Sequence, residues 1–312
     1  MKQNPTITYL LNTLLTIAFC VLFCLADGLI GTVSGIGICA LLAIVYHHHH
    51  YGLGLANSAL VIVIMVLNLG VLPGLAGSVP FVLVALSLAM GNVYKLSIYK
   101  LLMVCSVLFT ASAITNMMLI SHLSDGAVTL SGMILDAGRV MRESFAAELA
   151  DPAVAGTVEQ VIKLTVDMCI KLTPAVFIIV SLVESFVLIL IYKKLEERRQ
   201  TPMDHLLPFA KWQGDKGFAI TFLVMVVLLI SAPAGLFSNV LFNVVVVQGF
   251  LFAVLGLSVF AGKNQKRTAA KNAVLIWVLC LLAAFVSMVG VIVLVSGILD
   301  CFLDFRKLRK EN

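Results

Sequence analysis

The chain has 312 residues, of which 61% are hydrophobic and only 12% charged, with a mean hydropathy of +1.08 and a formal net charge of +5. Soluble domains carry about a quarter charged residues, so this balance excludes a water-soluble fold. It predicts an all-α fold, a polytopic transmembrane helix bundle, because a hydrocarbon core about 30 Å thick is crossed by roughly 20 apolar residues in a helix.

In chain order, spans are expected near residues 8–25, 29–46, 52–72, 78–93, 101–122, 172–192, 218–234, 239–261 and within 273–300, eight or nine crossings in all. The first follows Lys2 as the core of a signal peptide would. It is longer than such a core and a second span follows at once, so it reads as an uncleaved first helix. Thr16, Cys20, Cys24 and Gly28 form a ridge of small residues at i, i+4 spacing, and Gly31–Gly35 and Gly70–Gly74 repeat it. Such ridges let helices approach closely, and internal packing is their commoner use.

The run His47–His50 lies between the second and third spans. Neutral imidazoles bind transition metals, so these four are the candidate metal ligands, though adjacent histidines alone offer an incomplete set. A polar cytoplasmic turn is the commoner use of such a run, and no metal or other cofactor is expected.

Residues 123–171 interrupt the spans with seven acidic side chains (Asp125, Asp136, Glu143, Glu148, Asp151, Glu159, Asp167) against four basic ones. Met133, Val140, Met141, Phe145 and Leu149 recur at helical spacing. Two amphipathic helices broken near Asp151–Pro152 are expected on the extracytoplasmic side, either capping a substrate entrance or lying along the membrane surface. The charged stretch 193–217 reads as a topology anchor with Trp212 at the interface, with partner docking as its alternative use. The chain is thus expected to divide into a six-span bundle at 1–192, which includes the insert, a charged cytoplasmic loop at 193–217, and a two- to three-span segment at 218–312.

Orientation follows from the basic residues. With the N-terminus inside, Lys2, Lys95, Lys100, Lys193, Lys194, Arg198, Arg199, Lys211, Lys216, Lys263, Lys266, Arg267 and Lys271 all fall on the cytoplasmic side, while the short turns opposite carry none. One conflict stands. A single crossing in 273–300 places Arg306, Lys307, Arg309 and Lys310 outside, whereas a broken or re-entrant segment hinged near Ser287–Gly290 keeps them in.

Within the spans, polar side chains are the candidate substrate-binding residues. A charge at the bilayer centre costs at least about 2.5–3.5 kcal/mol, which singles out Glu184 as a proton-coupling or cation-contacting carboxylate. Its plainer role is a protonated acid bonded to a neighbouring helix. Asn68, Asn116, Asn243 and Gln248 could line a cavity with it or act as interhelical glue. Cys20, Cys24, Cys39, Cys105 and Cys280 fall in spans and Cys169 and Cys301 near span ends, a pattern that fits neither a disulfide framework nor a zinc motif.

Leu207–Trp212 (LPFAKW), the closing Gly297–Lys307 (GILDCFLDFRK) and Met141–Phe145 (MRESF) in the insert resemble the YybS-like family of bacterial membrane proteins, a family without an established activity. Its first part is remotely similar to the six-span substrate-binding subunits of energy-coupling-factor transporters. That resemblance implies a bacterial cytoplasmic (inner) membrane location, small-molecule binding from outside, and docking to an energising transporter module or another membrane protein. This chain departs from the pattern in its extra spans and in lacking the alanine pair of the docking helix.

HExxH, the phosphate-binding lysine loop, the dinucleotide glycine turn and GxSxG are all absent from the sequence, and no enzyme is expected. Asp204–His205 and His122 with Asp125 read as solvated loop pairs. Because the positive charge is spread as topology signals, the expected partner is the lipid bilayer, not nucleic acid. Two function classes are expected: a transport-related small-molecule binding or permease subunit, or a non-transporting membrane scaffold.

Overall fold

The computed structural model describes residues 5–26, 28–126, 128–146, 154–201, 203, 206–263 and 287–306. Among them it is all-helical, with ten α-helices and no strand. Seven helices are long and apolar enough to cross a membrane, and Lys216–Ser231 and Met288–Leu303 are apolar but shorter. The polytopic bundle expected from composition is therefore the fold. The chain divides into two compact units, Met1–His205 and Leu206–Asn312.

The first unit contains α1 (Pro5–Leu25), α2 (Gly28–His48), α3 (Tyr51–Leu69), α4 (Val71–Val93), α5 (Ile98–Leu123), α6 (Leu130–Ser144) and α7 (Ala155–Arg198). Connections are short, so consecutive spans run antiparallel. The shortest is Gly70 alone between α3 and α4, at φ +90°, a backbone state that glycine adopts without a steric penalty. Helix α2 is the centre of the unit, packed against α1, α3, α4 and α7, and its residues Ile38–Tyr46 are all buried. Thr16 and Cys20 of the small-residue ridge are also buried, so that part of the ridge serves packing inside the unit.

The insert differs from the expected pair of separate helices. Its second helix has no end of its own: α7 runs unbroken for 44 residues, through Pro174 and the sixth span, to Arg198. At 1.5 Å per residue that is about 66 Å, roughly twice the hydrocarbon thickness. A proline in a membrane helix is tolerated when neighbouring groups satisfy the freed carbonyl. The expected break at Asp151–Pro152 lies outside the described residues.

Helix α6 is capped by the Thr129 hydroxyl, which accepts from Gly132 N at 3.1 Å. It packs on the early turns of α7 through Gly138 against Val166 and the Arg142–Glu159 ion pair at 2.8 Å. Met133, Val140 and Phe145 stay exposed. Their apolar face is thus free to meet lipid, as a helix on the membrane surface requires.

The second unit holds a 3₁₀ turn (Phe209–Lys211), α8 (Lys216–Ser231), α9 (Leu236–Lys263) and α10 (Ser287–Leu303). Helices α9 and α10 run parallel, for Gly249 meets Leu294, Gly256 meets Gly297, and Gly262 meets Arg306. The two stretches quoted for the resemblance, 207–212 and 297–307, come together here. Arg306 of the second donates Nη1 to the Ala210 carbonyl (2.7 Å) and the Ser258 carbonyl (3.1 Å) and Nη2 to the Trp212 carbonyl, and it pairs with Asp300 at 2.7 Å. Gln213 donates to Asp304 at 2.8 Å.

Trp212 is correspondingly not an interface anchor: it is buried, its indole N–H donating to the Leu207 carbonyl at 3.2 Å. Arg306 is likewise a buried, neutralised residue and not part of a free basic tail. It lies at the same end of the unit as Phe209–Trp212.

Candidate functional site

Glu184 sits in the apolar stretch of α7, half-buried beside the packed ridge of Ser181, Ser185 and Leu188. It makes no hydrogen bond or ion pair among the described residues. The amides of the same unit, Asn68 and Asn116, do not bond to it. Asn68 is exposed and donates to the Ile64 carbonyl of its own helix at 2.7 Å. Asn116 reaches Ser112 Oγ at 3.4 Å, and Asn243 of the second unit donates to the Asn239 carbonyl at 2.8 Å. Gln248 keeps a buried Oε1 without a partner among the described residues. His122 and Asp125 line a shallow, open cavity of about 460 Å³ with Met118, Ser121 and Gly126 at the end of α5. Asp204–His205 lies outside the described residues.

A buried polar cluster of the first unit lies elsewhere, where α2 and α7 end. The apolar sequence of α2 gives way to His47 and His48 in its last turn, where the negative pole of the helix favours groups that can carry positive charge. On α7, Leu188, Tyr192 and Glu196 follow one another at i, i+4 spacing and share one buried face. The series carries Glu196, wholly buried, against the histidines. His47 Nδ1 is 3.0 Å from Glu196 Oε1, and His48 Nε2 is 2.7 Å from Oε2. The Thr201 hydroxyl donates to the same Oε2.

With neutral imidazoles, each of these nitrogens carries its proton toward the carboxylate. Asn92 Nδ2 at the end of α4 then donates to His47 Nε2 at 3.3 Å. Groups from α2, the end of α4 and the residues just after α7 converge on one carboxylate or on a histidine that holds it. The Tyr192 hydroxyl, inaccessible to solvent, lies beside Asn92 and Glu196 in the same cluster.

Around this cluster Arg199 donates to Asn12 Oδ1 at 3.1 Å, tying α7's end to α1. Burial lowers the Arg199 pKa, opposed by the Glu196 carboxylate. The His49 ring meets Tyr9 edge-on with centroids 5.4 Å apart. Burial, then the Arg199 and His48 charges, lowers the His49 pKa. A histidine depressed in the folded state stabilises it above the unfolded imidazole value of about 6.5, and that contribution is lost as pH falls through the folded value. We expect the melting temperature of the purified protein to fall below about pH 6.5, and His49→Gln to flatten that part of the profile. An unchanged profile in the variant would assign the acid sensitivity to other groups.

Of the sequence-predicted metal candidates, His47 and His48 are brought together with Glu196, His49 turns to Tyr9, and His50 is exposed and caps α3 by accepting from Gly52 N at 3.4 Å. Glu196, Asn92, Tyr192 and Thr201 were not singled out by the sequence. Glu196 is hidden in the charged run KKLEER, and the signal that could have found it is its place four residues after Tyr192 and eight after Leu188.

The sequence model of a family described as "Predicted membrane protein (DUF2232)" matches residues 14–301. No match was found among curated proteins, and none among solved structures.

Proposed function

Because the chain belongs to the DUF2232 family of predicted membrane proteins, we propose that it is a transport-related, non-enzymatic membrane protein, a small-molecule-binding or permease subunit of the bacterial cytoplasmic membrane. The carrying observation is Glu184, half-buried in a span without a hydrogen-bond or ion-pair partner among the described residues. A carboxylate at that depth is expensive unless it faces protein, water or a solute. The resemblance to the YybS-like family, and through it to energy-coupling-factor substrate-binding subunits, supports the same reading. The charge asymmetry supports placing the N-terminus and the His47 end on the cytoplasmic side. An energising partner needs a surface other than Thr16 and Cys20, which are already buried.

A second reading, a non-transporting scaffold, is favoured by the amides of the first unit, since Asn68 and Asn116 each bond within their own helix. Native mass spectrometry with metabolite analysis of the purified protein separates the two. A co-purifying small molecule, present in wild type and lost in Glu184→Gln, is the expected result. No small molecule in either form, together with a retained membrane protein partner, would favour the scaffold.

A further inference from the structure

We propose that His47, His48 and Glu196 form a mononuclear site for a divalent first-row transition-metal ion, with zinc the best-matched, at the end of the first unit where α2 and α7 finish. The donor atoms, an imidazole nitrogen from each histidine and a carboxylate oxygen, lie within 4.8 Å of one another. Each carboxylate oxygen already faces one of the nitrogens, at 3.0 and 2.7 Å. Zinc bonds of about 2.0–2.2 Å to nitrogen and oxygen require tetrahedral ligand pairs about 3.3 Å apart, so the two nitrogen–oxygen separations must widen by about half an ångström and the widest separation in the set must close by at most about 1.5 Å.

The chemistry of the donors selects the ion. Two imidazoles and one carboxylate suit zinc and its first-row neighbours, whereas magnesium and calcium favour oxygen alone and copper(I) favours sulfur. Glu196 is wholly buried, so its charge lacks water and gains most from a cation that replaces the protons now shared with the histidines.

Tyr192, one turn before Glu196, places its fully buried hydroxyl beside Asn92 and the Glu196 carboxylate and so belongs to the same polar cluster. The supporting contacts are also present. Asn92 holds the far nitrogen of His47 and Thr201 holds the carboxylate, the kind of outer partners that orient metal ligands. When His47 Nδ1 binds metal, its Nε2 carries the proton and the Asn92 amide turns its oxygen toward it. The proposal stands apart from the solute reading, since Glu196 lies about 18 Å along α7 from Glu184.

The test uses the full chain, untagged and purified without immobilised metal, stripped with a chelator and titrated first with Co²⁺ and then with Zn²⁺. One equivalent of Co²⁺ is expected to give the visible absorption of a low-coordinate nitrogen–oxygen site, and Zn²⁺ to displace it. His48→Ala and Glu196→Gln are each expected to weaken binding at least about a hundredfold, beyond the 10–100-fold typical of outer partners. His50→Ala is expected to leave it unchanged. Substoichiometric binding by wild type, retained affinity in both ligand variants, or equal loss in His50→Ala would overturn the site, the last by showing chelation by the histidine run alone. Should a ligand variant fail to fold, X-ray absorption of the zinc-loaded wild type decides. Two imidazoles in a nitrogen–oxygen shell sustain the proposal, and sulfur scattering near about 2.3 Å refutes it.

Discussion

Replacing Asp300 by alanine is expected to lower the unfolding free energy of the second unit by about 3–5 kcal/mol, the usual cost of stranding one member of a buried ion pair. Asp300 and Arg306 retain only 3% and 6% side-chain exposure, so solvent cannot screen the abandoned guanidinium. Arg306 also satisfies the carbonyls of Ala210, Trp212 and Ser258, joining the segment before α8 to α9 and the end of α10. Arg306→Met is therefore expected to cost at least as much. Combining it with Asp300→Leu should recover only part of the loss, because the apolar pair removes both charges yet leaves those carbonyls unserved. Unfolding of the full chain in mixed detergent and dodecyl sulfate measures all three. A loss below about 1 kcal/mol for Asp300→Ala would show that the pair is hydrated like a surface bridge.

The next largest effect is steric. A methyl group added at Gly256 would lie 1.9 Å from the Val293 carbonyl oxygen, and one at Gly297 would lie 2.1 Å from that of Phe252. Both obstacles are backbone atoms, which cannot rotate aside as a side chain can. Gly256→Ala and Gly297→Ala are each expected to cost about 3 kcal/mol, the upper end of the overpacking range, by forcing α9 and α10 apart. Gly249→Ala is the internal control, since its added methyl meets Leu294 Cδ1 at 3.5 Å, an ordinary contact. It should stay within about 0.5 kcal/mol of wild type in the same unfolding assay. Equal tolerance at all three positions would mean that the helices separate without penalty.

These two sites show what was legible in the sequence. Hydropathy located the seven long apolar helices because bilayer thickness sets their length, whereas residues 273–286 of the last expected span lie outside the described residues. The family resemblance rested on Leu207–Trp212 and Gly297–Lys307, but their meeting around Arg306 depends on α9 and α10 being parallel, which no local pattern encodes. Trp212 was read as an interface residue because tryptophan is common there, whereas its indole N–H serves the Leu207 carbonyl inside the unit. His47 and His48 were visible as metal-binding residue types, but their carboxylate lies 148 residues from His48, within a run whose charges suggested topology alone. The insert's second helix was misjudged because its polar face ends where the apolar span begins. A change in composition is not a change in backbone conformation.

The continuity of α7 gives those two environments a mechanical relation. One uninterrupted rod carries Glu159, held by Arg142 of α6, at one end and Glu196, held by His47 and His48, at the other. Pivoted at its middle, a rod about 66 Å long that tilts by about 10° moves each tip by about 6 Å in opposite directions. Pro174, which lacks the amide hydrogen that the helical ladder requires, is where such a lever would flex. A rigid tilt of α7 would therefore carry Glu159 and Glu196 together, in opposite directions, and a bend at Pro174 would uncouple them.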